Sequence, residues 1–473
     1  MGRARKKHTP HKKDRPRRSF AKAARRLALT ALFSIGAVSC ASNGPKAVEL
    51  TPRDRIANVE NLPALPPAPA DSTDYHQELF RNNASNVLTP FDNLRLLRMS
   101  RNERMDFYME KLCFTAGAQT VAGATQEQLR DAMEDLSRLT FLGKPLVDLA
   151  IENNVKLCGM SRLPASVLAQ YLPALDAVVA GPGASRTGRA LTLAHEIMHA
   201  AQDENGLLSY NFNWDIQSRV TRNLSVEAAA VASEYLIAFE AKLAGNNAYW
   251  SYMSFQYANG IAMKNTVELT YNDALKSGSS QEDALRAAGR AAFENVFNNT
   301  WWRDFYLNEE LRAYLHDVDK GRFDNTRTTG HYQFGQTKIN RAGAVGQNGA
   351  SFTQGARFPD YNGLLAGNQK MRWAYEAAEI ARRDRMANSS RTVESMRAQA
   401  LLGGNPYLGL DIVAISRDAS AQALQPGQKF RPLYERLDDA LKAATPTPTP
   451  APAPAPATPV ARGPSPHQPH IPS

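Results

Sequence analysis

Ala190-Leu191-Thr192-Leu193-Ala194-His195-Glu196-Ile197-Met198-His199-Ala200-Ala201-Gln202 is an apolar helical stretch interrupted by three groups that an apolar helix has no structural reason to carry. On an α-helix, positions i and i+4 differ by about 40° in direction and lie about 6 Å apart along the axis. His195 and His199 therefore project from one face, where two imidazoles can grip one metal ion. Glu196, on the adjacent angle, can reach a water on that ion without ligating it. Burying a histidine pair and a glutamate on such a helix is costly unless something satisfies them. A zinc-bound water has its pKa lowered toward about 7, and a neighbouring carboxylate can take its proton as it attacks a carbonyl. The pattern predicts a buried helix over 186–204 carrying two metal ligands and a general base.

Zinc needs a third protein ligand and leaves the fourth position to water. A third His six residues after His199 would complete one known extension of the motif, but Asn205 stands there. Downstream, Ser225-Val226-Glu227-Ala228-Ala229-Ala230-Val231-Ala232-Ser233-Glu234 predicts a helix over 224–244. Ser225 is its expected N-cap, which puts Glu227 in the first turn. The alanines permit close packing on the motif helix. Glu227 and Glu234 are seven apart and share a face, so either can reach the metal. Glu227 is the favoured ligand, with Glu234 as a carboxylate behind it.

His195-Glu196-Ile197-Met198-His199, followed 28 residues later by Glu227-Ala228-Ala229-Ala230, resembles the gluzincin branch of the zincin metallopeptidases. It is more closely similar to uncharacterised bacterial metallopeptidase-like proteins with a downstream Glu-Ala-x-Ala helix. The resemblance covers about residues 185–240. It implies one Zn²⁺ held by His195, His199 and Glu227, with Glu196 as base. It also implies a peptide or protein substrate and an α+β, predominantly helical, zincin-like core with a small sheet beside the motif helix. The chain departs from the gluzincin pattern at Val231, where an Asp often follows the third ligand by four residues. Zincins hold the substrate backbone on a strand beside the motif helix and stabilise the oxyanion with a His or Tyr. Residues 175–180 are the expected edge strand, and Tyr210, Tyr235, His331 and Tyr332 are the candidate stabilisers. The alternative function is a zinc-binding, zincin-fold scaffold or interaction lipoprotein without peptidase activity.

The charge of +10 belongs to the N-terminus. Residues 1–39 hold twelve of the 56 Lys/Arg and one of the 46 Asp/Glu. The remainder is nearly neutral, which excludes a strong electrostatic footprint for nucleic acid. The basic stretch ends at Arg26 and is followed by an apolar run, Leu27–Val38, then Cys40. That order reads as an export signal over residues 1–40, and the run is short of the roughly 20 residues a span needs. Arg17-Arg18-Ser19-Phe20-Ala21-Lys22 resembles a twin-arginine signal, with Sec export the other route. Ala37-Val38-Ser39-Cys40 resembles a lipobox, so Cys40 is the expected lipidation site and the expected location is a bacterial periplasm, anchored to a membrane.

Residues 41–75, with Pro-rich Asn61–Ala70, read as an extended tether, and 443–473, with alternating Ala-Pro, as a disordered tail in which His467 and His470 are unstructured. The body between, 76–442, is expected to be mostly helical. Apolar residues from Asn93 to Cys113 recur at mixed helical spacing, and Thr125 to Gln128 fits a capping box for a helix to Leu139. The alternation of Val147, Leu149 and Ile151 from Pro145 onward predicts a strand. Further helices are expected at 281–298, 368–387 and 390–402, and a loop layer at 320–365. Asn299 to Tyr306 reads as core packing with an Arg–Asp pair. Cys113 and Cys158 form a candidate disulfide in an oxidising compartment, or else two separate buried thiols.

Overall fold

The computed structural model describes residues 72–444, apart from residues 86, 122, 162, 164–167, 183, 209–213, 258, 323–333, 347–348, 386–389 and 422–430. The expected export segment with Cys40, the expected tether up to residue 71, the expected tail from residue 445, and Tyr210, His331 and Tyr332 lie outside the described residues.

Helices α1 (Ser72–Ala84), α2 (Pro90–Leu96) and α3 (Arg101–Leu112) precede strand β1 (Cys113–Thr115). Thr89 and Ser100 open α2 and α3 through reciprocal capping boxes with Asp92 and Glu103. These caps divide the apolar pattern after Asn93 into two helices. Then come α4 (Ala124–Ser137), α5 (Gly143–Glu152), β2 (Lys156–Gly159), β3 (Ala169–Leu172) and β4 (Ala177–Ala180). The rest is helical: α6 (Arg186–Glu204), α7 (Ile216–Leu243), α8 (Asn247–Gln256), α9 (Gly260–Lys276), α10 (Gln281–Val296) and α11 (Thr300–Asp319). Short α12 (Gln336–Ile339) and α13 (Tyr361–Leu364) lie in the region expected to be loop. They are followed by α14 (Gln369–Arg385), α15 (Ser390–Leu402), α16 (Ile412–Ala421) and α17 (Leu433–Ala444). The fold is α+β and predominantly helical, with a small mixed sheet.

The sheet runs β1-β2-β4-β3, with β1 antiparallel to β2, β2 parallel to β4, and β4 antiparallel to β3. Its two faces feed different cores. Leu157, Tyr171 and Val178 join the large core around α6 and α7, while Cys158, Leu172 and Val179 join the smaller one with α1 and α3. Cover on both faces explains why Ala177-Val178-Val179-Ala180 carries no polar alternation. Cys113 and Cys158 sit opposite one another in the β1–β2 register and are disulfide-bonded.

Four expectations are corrected. The strand expected from Pro145 is helix α5. A strand would bury Val147, Leu149 and Ile151, but Leu146, Val147, Leu149 and Ala150 are the buried set, and Ile151 is 42% exposed. That spacing is helical. Thr125 does not cap α4. Gly123 occupies the N-cap without a side-chain bond, and Thr125 packs so closely over Gly159 that a Cβ there would meet its methyl at 2.8 Å. The strand within 175–180 is internal, paired on both sides, and β3 is the edge beside α6.

The fourth correction is the start of α7. Ser225 is not its N-cap. Asp215 caps it, accepting from Ser218 N at 2.7 Å, and Ser225 is interior with its hydroxyl donating to Arg222 O. The preceding turns look solvent-exposed in sequence because they contain Arg219 and Arg222, yet both are buried. Arg219 bridges Glu310 and Asp317 at 2.7 and 3.0 Å, and Arg222 donates to Leu207 O and Leu208 O. Burial lowers the Arg222 pKa to about 9.

Candidate metal centre

Ser185 starts α6 by accepting from Gly188 N at 3.1 Å. The helix is buried from Gly188 to Gln202 and packs against α7, β3, α4 and α8. At Gly188 α8 approaches closely, and a Cβ there would meet the Tyr252 hydroxyl at 2.6 Å and displace it. Helix α7 is buried on nearly all sides, and its Ala228, Ala229, Ala230 and Ala232 are all below 1% exposure. These small residues bring Glu227 level with the histidines.

The outer ring nitrogens come first, because they set the inner ones. His195 Nδ1 lies 2.7 Å from Glu234 Oε1, which also accepts from the Tyr257 hydroxyl at 2.9 Å. With that oxygen already accepting from Tyr257, it is the acceptor here as well, so His195 Nδ1 carries the proton. His199 Nδ1 lies 2.8 Å from Gln202 Oε1. Gln202 Nε2 donates to Val226 O and Ala342 O, both at 3.0 Å, which fixes the amide orientation and makes Oε1 the acceptor. His199 is therefore also protonated on Nδ1. With Nδ1 as donor on both rings, the inward nitrogen of each is Nε2, the one left to ligate a metal.

Inside, His195 Nε2 lies 3.7 Å from Glu227 Oε2, and His199 Nε2 lies 3.6 Å from Glu227 Oε1. These gaps are too long for hydrogen bonds. Ligand atoms of all three residues lie within 4.8 Å of one another. In a tetrahedral zinc site with bonds near 2.0–2.2 Å, ligand atoms are separated by about 3.4 Å, so the observed spacing fits such an ion. His195 Nε2, His199 Nε2 and Glu227 Oε2 are buried without hydrogen-bond partners. Orphaned polar atoms of this kind are rare, and three converging on one point have the donor set that holds a cation. Glu234, bonded to the far side of the His195 ring, faces away from that point.

Glu196 has two different oxygens. Oε2 accepts from the Tyr171 backbone N–H at 2.7 Å, and Oε1 is buried with no partner. The Gly181 N–Leu168 O bond and the β3–β4 register make Gln170 and Leu172 the residues bonded to β4. Tyr171 therefore presents its N–H to the opposite edge, toward α6. The charges follow. Burial alone would raise the Glu227 pKa, but the imidazoles of His199 and His195 hold it at about 2. Burial opposes charge on His195, yet the Glu227 and Glu234 carboxylates beside it push its pKa well above 6.5. Burial raises Glu196, with the two imidazoles opposing.

Three contributors have no counterpart among the expected site residues. Gln202 follows His199 by three and so shares its helix face, which is the one signal that marks it. Tyr257 and Tyr306 come from the end of α8 and from α11. The Tyr306 hydroxyl lies beside Glu227, and burial raises its pKa well above 10, so it stays protonated. Tyr306 belongs to the aromatic run read as core packing. Its ring does pack on Trp302 and Phe305, at 4.7 and 5.3 Å between centroids. Tyr235 is buried with an unpartnered hydroxyl and stacks toward Tyr257.

Residues 102–332 match the model of a family described as "Putative metallopeptidase family". The matched span contains the motif helix, α7, Tyr257 and Tyr306. Comparison with curated proteins and with solved structures found no match.

Proposed function

We propose that the chain is a zinc-dependent metallopeptidase of the bacterial cell envelope, exported by its N-terminal segment and lipid-anchored through Cys40. The observation that carries the enzymatic part is the convergence of His195 Nε2, His199 Nε2 and Glu227 Oε2, all buried and unpartnered. In this reading those three residues hold Zn²⁺. When bound, zinc supplies Lewis acidity toward a water and toward the substrate carbonyl oxygen.

Glu196 does the proton chemistry. Its Oε2 is anchored by Tyr171 N–H, which leaves Oε1 to take a proton from the attacking water. The water oxygen adds to the carbonyl carbon. Glu196 then returns the proton to the amide nitrogen as the C–N bond breaks. Glu234 and Gln202 hold the imidazoles in the ligating tautomer. Tyr306 offers a protonated hydroxyl beside the reacting carbonyl, the role for which Tyr210, Tyr235, His331 and Tyr332 were the sequence candidates.

The test is metal analysis of wild type beside His199→Ala, together with peptide hydrolysis by Glu196→Gln. Stoichiometric zinc in wild type, its loss in His199→Ala, and zinc-loaded but inactive Glu196→Gln are expected. Equal zinc in wild type and His199→Ala refutes the centre. Unchanged hydrolysis by zinc-loaded Glu196→Gln refutes the base.

A further inference from the structure

Asn223 is out of place in helix α7. It lies in the helix interior, 3% exposed, and the nearby Leu224, Val226, Ala228 and Ala229 are fully buried apolar residues. Asparagine is a weaker helix former than leucine or alanine, and its carboxamide is costly to bury unless it is bonded. The Asn223 Nδ2 is buried without a hydrogen-bond partner.

The fold treats its other buried asparagines differently. Asn83 Nδ2 donates to Leu79 O at 2.9 Å and Asn299 Nδ2 to Asn259 Oδ1 at 3.1 Å. Asn308 Nδ2 donates to Glu309 Oε1 at 3.2 Å and Asn405 Nδ2 to Trp373 O at 3.0 Å. Among the described residues, Asn223 is the one buried asparagine whose Nδ2 has no acceptor. Its position suggests what the group is for. Asn223 and Glu227 are four apart, so they share a face of α7 with Cβ atoms about 5–6 Å apart. That face carries the carboxylate of the metal centre. Arg219, four residues before Asn223, bonds Glu310 of α11 at 2.7 Å. Tyr306, four residues before Glu310, lies beside Glu227. Asn223 therefore sits midway between two contacts of α7 with α11, on the side from which Tyr306 approaches the centre.

We propose that Asn223 binds a main-chain peptide group of the substrate beside the scissile bond. Its carboxamide can donate to a carbonyl oxygen and accept from an N–H, the two groups a peptide bond offers. An extended chain advances about 3.4 Å per residue. An offset of about 5–6 Å from Glu227 thus reaches a peptide group within two residues of the reacting carbonyl. The inference rests on the proposed metal centre and sharpens its substrate class. A peptide of several residues is held at the ion and at Asn223, whereas an isolated amide or ester is held at the ion alone.

The test is calorimetric titration of the zinc-loaded full chain with three probes. Acetohydroxamate reaches the ion alone. N-acetyl-Leu-Ala hydroxamate and the hydroxamate of succinyl-Leu-Ala-amide add peptide groups on the acyl and amine sides of the ion. Asn223→Ala should bind at least one peptide hydroxamate about tenfold more weakly than wild type, the share of one or two hydrogen bonds. It should bind acetohydroxamate as wild type does. Asn223→Leu, closer in volume to the native residue, should behave the same and keeps the test open if Asn223→Ala folds poorly. Equal loss with all three probes means that Asn223 only supports the centre, and it overturns the proposal. No loss with any probe means that a buried water satisfies the carboxamide, and it also overturns the proposal. A wild type that binds zinc but takes the peptide hydroxamates no more tightly than acetohydroxamate overturns it and leaves the metal centre standing. A wild type that binds no zinc overturns both.

Discussion

Glu234→Gln tests whether the centre depends on the carboxylate behind His195. Glu234 Oε1 accepts from both His195 Nδ1 and the Tyr257 hydroxyl, and Oε2 is buried without a partner. Gln keeps the shape and one acceptor, but removes the charge that raises ligand basicity and adds an unmatched amide donor. Loss of such an outer partner typically costs 10–100-fold in metal affinity, or about 1.4–2.7 kcal/mol. At a free zinc concentration 100 times the wild-type dissociation constant, zinc stabilises wild type by about 2.7 kcal/mol. A tenfold weaker variant retains about 1.4 kcal/mol at the same zinc. For a folded body of this size the difference is about 2 °C in Tm. Competition titration against a chromogenic chelator gives the affinity, and scanning fluorimetry with and without zinc gives the increment. Glu240→Gln on the same helix is the control, because Glu240 binds the Phe141 and Leu142 amides instead. A Glu234→Gln dissociation constant within twofold of wild type, or an equal loss in Glu240→Gln, refutes the role assigned to Glu234.

Gln202→Leu should weaken zinc by a similar factor in the same titration, since it frees the His199 ring and strands the Val226 and Ala342 carbonyls. Tyr306→Phe is expected to retain stoichiometric zinc while lowering kcat about 10–1,000-fold with little change in KM, the signature of a group that acts in the transition state. Cys113→Ser with Cys158→Ser opens a loop of 45 residues, which corresponds to about 4 kcal/mol, or roughly 5 °C in Tm. The comparison is with wild type, unreduced. In metal-free protein, Glu227, held at about 2, contributes stability that is present above its ordinary 4.5 and lost as pH falls toward 2. His195, raised above 6.5, contributes stability that is full below 6.5 and lost as pH climbs through its raised value. Metal-free stability should therefore peak near pH 4.5–6.5. Because zinc displaces the His195 proton, the zinc-induced rise in Tm should grow from pH 5 to pH 8; a flat increment contradicts the pairing.

Much of the fold's helical layout was legible because the helices around the site have strong local signals. The motif helix runs Arg186–Glu204 behind its N-cap Ser185, as its spacing predicts. Two of the errors share a cause, which is that burial overrode local pattern. Arg219 and Arg222 made the first turns of α7 look like surface, and only their partners on α11 and in the 207–208 carbonyls make burial tolerable. Pro145 to Ile151 alternates like a strand for a few residues, and that short window cannot separate period 2 from the helical face that excludes Ile151. The edge position of β3 was not readable at all, because strand order is a tertiary fact.

The centre divides in the same way. His195, Glu196 and His199 are readable from one turn of helix, and Glu227 from an alanine-rich helix downstream. Their protonation pattern is not readable, because it is set by residues that arrive from elsewhere. Gln202 can orient His199 only because Val226 and Ala342 capture its amide hydrogens. Glu234 can orient His195 only because α7 packs on α6, and Tyr257 reaches the same oxygen from the end of α8. The arrangement bears on the choice between an enzyme and a scaffold that merely binds metal. Two locked imidazoles and Glu227 suffice to hold an ion. Glu196 adds nothing to that task, and its buried, unpartnered Oε1 costs about 1–3 kcal/mol that a scaffold would have no reason to carry. One oxygen anchored to the β3 edge and the other left open beside the ligands is the arrangement a proton-transfer base needs. Glu196→Gln should then keep its zinc while losing hydrolysis, and a wild type that binds zinc stoichiometrically yet cleaves no peptide would favour the scaffold.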